Sequence, residues 1–284
     1  MRIILLCLLF SSCAYFKDQQ KKSLKRKIKA SPIQKLSYWD KYRHLPLEER
    51  IMPASKEMVE LLLLQNELDG FPEIPKMHEL TDEQRDIIKA VVSHIPAKLK
   101  AEISKRLVGI MIVKDLGGTG LTDVVFEDKS KGYIVFDALI FSKKANEWCT
   151  WKESSPFKEG TYKLKCTLAD DDQNTVEQAF EYILMHEIAH ILNLNNPMLP
   201  FWIEEDIKKS KKIEEYPYLK QSWDFEKERY VHKTRTKYKS LLKVPYYRPD
   251  IALENEKMIT AYQELSKTDF PSLYGVINPW DDFA

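Results

Sequence analysis

The residues best suited to chemistry lie in "LMHEIAHIL", residues 184–192, where His186 and His190 stand four apart and Glu187 follows the first directly. On a helix, side chains four apart project from successive turns on one side, so the two imidazoles are close enough to share a metal ion. Glu187 sits beside them, where its carboxylate can reach a water on that ion without being a ligand. Two neutral imidazoles bind, the metal acidifies water and the glutamate accepts the proton, which together make a hydrolytic centre. The chain holds six histidines, so a chance match to three fixed positions is rare.

Positioning these groups requires a helix with a buried face. From Asn174 the pattern is helical, with Asn174 and Glu177 expected as a capping box and "NLNNP" as the stop. Phe180, Leu184, Ile188, Ile191 and Leu192 fall on one stripe that anchors the helix in a core. Ahead of it, "RLVGIMIVKDL", "DVVFED" and "GYIVFDALIF" read as strands separated by "GGTG" and "DKSKG". The glycines of "GGTGLTD" lack a P-loop lysine and a following helix, so they read as a turn.

Upstream, "PASKEMVELLLLQNELDG" predicts a packed helix ending at Gly70. "LTDEQRDIIKAVVSHI" predicts a second, capped by Thr81 or Asp82, and helix resumes after Pro96. "NEWCTWKESSPF", with two tryptophans, reads as an aromatic loop on the core or as part of the lining of the cleft at the histidines. Residues 203–248 read as peripheral helices, and "DIALENEKMITAYQEL" as another helix. Together these describe an α+β fold in which a small mixed sheet packs on the histidine helix, with further, mostly helical segments.

Lys and Arg number 44 against 43 Asp and Glu, so bulk charge gives no sign of a nucleic-acid surface. The N-terminus carries a local message. Arg2 precedes the apolar run Ile3 to Phe10, which reads as a secretory signal over 1–12, too short to span a bilayer once mature. Cys13 after Ser11 and Ser12 resembles a bacterial lipobox, which implies lipid on Cys13 and a membrane-anchored protein of the cell envelope, facing periplasm or exterior. "KDQQKKSLKRKIKASP" has seven basic residues against one acid and reads as a basic tether over 13–35, suited to an anionic membrane. In an oxidising compartment Cys149 and Cys166 could form a disulfide or remain two buried thiols.

A catalytic metal of this kind needs a third protein ligand and an open fourth position. His232 and the acids Asp224, Glu226 and Glu228, on an apparently helical segment, are available. The C-terminal "YGVINPWDDFA" is better matched: with "HEIAH" it resembles the gluzincin zinc metalloproteases, in particular the protease domain of anthrax lethal factor and related bacterial proteins. The likeness spans roughly 106–196 and 272–284. It implies a zincin-like domain over 36–284, with a helical N-terminal part and a helical insertion at about 203–250. It further implies Zn2+ held by His186, His190 and Asp281, and Tyr274 as the hydroxyl that stabilises the oxyanion. Aspartate replaces the family's usual glutamate, so its backbone must approach the ion more closely. An exposed edge strand would pair with an extended protein or peptide substrate; "GYIVFDALIF" is the candidate edge, and equally suits an interior strand.

The expected function is a zinc metallopeptidase with Glu187 as general base and no nucleic-acid partner. The alternative is a catalytically inactive zincin-like lipoprotein acting as a binding or structural envelope protein. On the lipobox reading, Cys13→Ala moves the protein from the membrane to the soluble fraction, measured by fractionation and immunoblotting.

Overall fold

Runs of β-branched residues and amphipathic helices assemble as an α+β fold around a small mixed sheet in the computed structural model, which describes residues 18–194, 198–202 and 213–284. The strands are β1 (Ile51–Pro53), β2 (Lys76–Met77), β3 (Leu107–Lys114), β4 (Gly120–Val125), β5 (Asp128–Asp137), β6 (Trp223–Glu226) and β7 (Arg229–His232). The principal helices are α1 (18–30), α2 (Lys56–Asp69), α3 (Asp82–His94), α4 (Ala97–Ser104), α5 (Ala145–Ser154), α6 (Val176–Asn193), α7 (Lys257–Leu265) and α8 (Pro279–Phe283). The expected signal segment 1–12 and Cys13 lie outside the described residues.

The strand order is β1-β3-β5-β4, with β1, β3 and β5 parallel, β4 antiparallel to β5, and β2 paired antiparallel with β3. Of the edge and interior placements open to the apolar stretch, the order gives the interior one, and β4 is an edge strand. Burial explains the outcome: Tyr133, Ile134, Val135 and Phe136 of β5 are all covered, as a strand sandwiched on both faces requires. Asp137 ends the run by accepting from the N–H groups of Leu116 (2.7 Å) and Leu139 (2.8 Å). Residues Ala138–Ser142, expected as strand, then form a turn of 3-10 helix.

Alternation along the strands divides the core in two. Ile110, Ile112, Ile134 and Phe136 face α3, α5 and α6, while Met111, Val113, Tyr133 and Val135 face α2 and Trp39. The second layer also includes α1. Leu24 and Ile28, four apart, are buried within the segment expected as a solvated tether, so its described part is a docked helix. Charge density in that stretch obscures a two-residue apolar stripe that suffices for docking.

Helix α6 is held at both ends. Thr175, one residue past the expected cap, accepts from the N–H of Gln178 (3.2 Å). Asn174 instead accepts from the N–H of Asn146 (3.0 Å), tying the start of α5 to the start of α6. Arg106 donates to the carbonyls of Leu192 (2.7 Å) and Leu194 (3.1 Å), so a cation answers the partial negative charge of the helix C-terminus. Phe180, Leu184, Ile188 and Ile191 are buried as the stripe predicts. The aromatic stretch read as a loop is α5, and Cys149 on it forms a disulfide with Cys166, pinning the irregular segment that follows.

The described part of the expected helical insertion, 213–250, is largely not helical. Its centre is the β6–β7 hairpin, where Lys227 and Glu228 both adopt positive φ (48° and 62°), the signature of a type I′ turn. Neither is Asn or Gly, so the turn carries no sequence signal. Around it a third apolar cluster gathers Trp223, Leu241, Tyr246, Leu273 and Val276 with Phe157. Helix α7 is shorter than expected, preceded by a 3-10 turn at Pro249–Ile251.

Helix α6 crosses β5 where Gly132 leaves no room for a side chain. A Cβ there would stand 2.8 Å from Leu194 Cδ1, 2.9 Å from Ile191 Cδ1 and 2.9 Å from the carbonyl oxygen of Asp123. Gly132→Ala is expected to cost about 1 to 3 kcal/mol, read as a lowered melting temperature by calorimetry. An unchanged melting temperature would mean that α6 is not seated as described.

Candidate metal centre

On α6 the two histidine rings stand edge to face, and their Nε2 atoms are 3.2 Å apart. Asp281, on α8, places Oδ1 3.6 Å from His186 Nε2 and 3.5 Å from His190 Nε2. Ligand atoms around a tetrahedral ion with bonds of about 2.0 to 2.1 Å are separated by about 3.4 Å, which is the mean edge of this triangle. Among the described residues this is the group of three that could hold a metal ion. Of the sequence-derived candidates for the third ligand, Asp281 is therefore the one brought to the histidines.

The others are engaged elsewhere. Asp224 and Glu226 both pair with Arg235 on the hairpin, Asp224 at 2.7 Å. Glu228 occupies the positive-φ turn. His232 is buried with Nδ1 3.0 Å from Thr234 Oγ1. The segment expected to be helical is a strand pair, so Asp224 and Glu226, two apart on β6, share a ribbon face that Arg235 occupies and do not line a helix face.

Asp281 is secured although α8 is a single turn. Asn278 caps the helix, accepting from the N–H groups of Trp280 (3.0 Å) and Asp281 (2.9 Å), and its amide donates to Asp281 Oδ2 (2.6 Å). That bond orients the carboxylate so that Oδ1 faces the imidazoles, the usual task of a residue behind a ligand. Trp280 Nε1 donates to the carbonyl of Pro200 (2.8 Å), and Trp223 Nε1 donates to Asp282 Oδ2 (2.9 Å). A turn too short for independent stability is thus held by tertiary contacts.

Electrostatics follow the geometry. Burial disfavours a charged Asp281, but donation from His186 and His190 overrides it and holds the carboxyl well below its ordinary range. Burial likewise opposes charge on His190, yet Asp281 and Glu187 raise its pKa above the usual imidazole value. The three groups together favour a positive charge among them, for which a proton and a divalent ion compete.

Glu187 is buried beside this triangle. Thr122 Oγ1, on the edge strand, donates to Glu187 Oε2 (2.7 Å). Gly120 gives Oε1 its space, since a Cβ there would lie 2.5 Å from that oxygen. Tyr274 lines the same cleft, its ring 5.8 Å from that of His186. The charge of Asp281, then burial, Tyr247 and Glu187, push its phenol far above the ordinary value, so the hydroxyl remains a protonated donor. Of the residues singled out from sequence, His186, Glu187, His190, Tyr274 and Asp281 all meet here.

Sequence reasoning missed several neighbours. Thr122 and Gly120 reach the site only through the packing of β4 on α6. Tyr247 lines the cleft with φ of 57°, a strained conformation for a bulky residue that commonly marks functional sites. Lys152 lines the same cleft from α5, beside Trp148, one of the two tryptophans that the sequence offered as cleft lining. The aromatic density of "NEWCTW" was a visible signal, but its placement depends on the disulfide and the Asn146–Asn174 contact.

Comparisons with protein-family models, curated proteins and solved structures find no match. The functional argument therefore rests on geometry. Titration with Co2+, followed by its visible absorbance, is expected to saturate at one equivalent and to give no site in His186→Ala. Asn278→Ala, which removes the bond behind Asp281, is expected to weaken binding about 10- to 100-fold.

Proposed function

We propose that this chain is a zincin-like, zinc-dependent endopeptidase of the bacterial cell envelope. The observation that carries the reading is the triangle of His186, His190 and Asp281 at tetrahedral spacing, with Glu187 buried alongside. Two imidazole nitrogens and one carboxylate oxygen, with a fourth position left over, suit catalytic zinc in particular. When bound there, zinc would polarise the scissile carbonyl and acidify water.

The chain's own groups supply the remaining steps. Thr122 occupies Oε2 of Glu187, which leaves Oε1 to take the proton from the attacking water. The same carboxyl then protonates the leaving amine, so Glu187 ends the cycle ionised. Tyr274, kept protonated by its acidic surroundings, donates to the oxyanion of the tetrahedral intermediate.

The edge strand supports an extended substrate. Strand β4 pairs with β5 on one side, and no described strand covers its other side. Its start, Gly120 to Thr122, lies beside Glu187. A peptide adding to that edge would pass its scissile bond across the centre. The far end of β4 is closed, because Gln34 caps the backbone N–H groups of Phe126 and Glu127. Placement in the envelope rests on the signal-like leader and Cys13.

Zinc-loaded protein is expected to cleave members of a degenerate peptide library, detected by mass spectrometry. Glu187→Ala should lower kcat by about 10^2 to 10^4 while retaining one zinc by metal analysis. Tyr274→Phe should lower kcat roughly 100-fold with zinc affinity unchanged. Indistinguishable behaviour of wild type and Glu187→Ala toward the library would favour the binding-protein alternative.

A further inference from the structure

The cleft beside Glu187 contains a charge that neither the metal triangle nor the proton transfer uses. Lys152 is 8% exposed and lines this cleft with Thr119, Trp148, Tyr247 and Tyr274. Its Nζ lies 4.3 Å from the ring centre of Tyr274, 5.6 Å from that of Trp148 and 5.7 Å from that of Tyr246. A buried ammonium gives up much of its hydration, and aromatic faces return only part of it.

Its neighbouring acid is largely committed elsewhere. Glu153 Oε2 accepts from the hydroxyls of Tyr246 and Tyr262, both at 2.8 Å, while Oε1 meets Lys152 Nζ at a long 3.3 Å. An ammonium has three protons to donate, and this contact takes one. Trp148, 3% exposed, leaves its indole N–H without a partner. One wall of the cleft that Glu187 also lines thus carries an ammonium with protons to spare and a tryptophan whose buried N–H is unpaired.

Donors left unmatched in a buried site call for an acceptor, and a carboxylate answers both. Glu187 lines the same cleft, and Asp281 lies against His186, another of its lining residues. Glu187 and Asp281 disfavour a second carboxylate at the reacting centre itself, so their charge and that of Lys152 drive an acidic group to the same wall. An amide could accept one bond, whereas a carboxylate adds charge attraction to an ammonium whose own ion-pair partner, Glu153 at 3.3 Å, is shared with two phenols.

We infer that this wall is a carboxylate subsite, and that the substrate carries Asp or Glu at one of the two residues flanking the scissile bond. Lys152 is the specificity residue and Trp148 its second donor. The inference rests on the proposed hydrolysis for its substrate, but the binding pocket can be tested without turnover.

Capped hexaalanine peptides carrying one Glu or one Gln at the third position serve as probes, titrated by calorimetry into zinc-loaded Glu187→Gln protein. The Glu peptide is expected to bind at least tenfold more tightly, and Lys152→Met should erase the difference. Equal affinities for the two peptides overturn the inference, and that comparison stands even if Lys152→Met fails to fold. In parallel, zinc-loaded wild type is presented with a degenerate library. Enrichment of Asp or Glu beside the cut, exchanged for Lys or Arg in Lys152→Glu, supports the subsite; cleavage beside neutral residues, unaltered in Lys152→Glu, overturns it. Absence of all cleavage by wild type would defeat the endopeptidase reading, with the calorimetric pair still deciding whether the wall binds a carboxylate.

Discussion

Three lone-pair atoms, contributed by two turns of one helix and a single turn near the end of the chain, are held 3.2 to 3.6 Å apart. Such an arrangement holds together only through protons or a metal ion shared among the three atoms, because bare acceptors crowded together in a partly buried space repel one another. Most of the architecture around the site serves this constraint. The sheet gives α6 a flat surface at Gly132, Arg106 secures its last carbonyls, and Thr175 secures its first amides. The C-terminal cluster of aromatic and aliphatic side chains supplies the rigid bed for α8.

The polar groups behind the triangle are arranged so that each has a defined partner. Asn278 fixes the face that Asp281 presents, and Thr122 occupies one oxygen of Glu187 while leaving the other free. In both, one oxygen of a carboxylate is immobilised and its sibling is available, which is how a buried acid can be oriented without being neutralised. Glu153 plays a related part beneath the cleft, taking two phenols and one ammonium. The proposed endopeptidase chemistry and the proposed carboxylate subsite draw on different residues of the same small space.

Much of the site was legible because helical spacing is a local property. His186, Glu187 and His190 needed only the knowledge that residues four apart share a helix face, and their flanking apolar stripe confirmed the helix. Tyr274 and Asp281 were legible only by likeness to a family motif, since nothing local to "YGVINPWDDFA" says that it returns to α6. The tether over 13–35 was misread in its described part because six basic residues between 18 and 30 outweigh two apolar ones in composition, whereas docking needs only the two. The hairpin at 223–232 was misread because its turn uses Lys227 and Glu228 at positive φ, where Asn or Gly would have announced it.

By itself the sequence determined the α+β class, the helix that carries His186 and His190 on one side, and the acid beside them, because periodicity and capping act over a few residues and survive without tertiary context. Tertiary structure decided that β4 and not β5 is the open edge among the described strands, that Asp281 and not Glu226 closes the triangle, and that Lys152 and Tyr247 join Trp148 in lining the cleft. Those outcomes depend on contacts between segments tens of residues apart, such as Asn146 with Asn174, Trp223 with Asp282 and Trp280 with Pro200. Strand order and chain return are settled by which buried surfaces fit together, and that fit is a property of the assembled core.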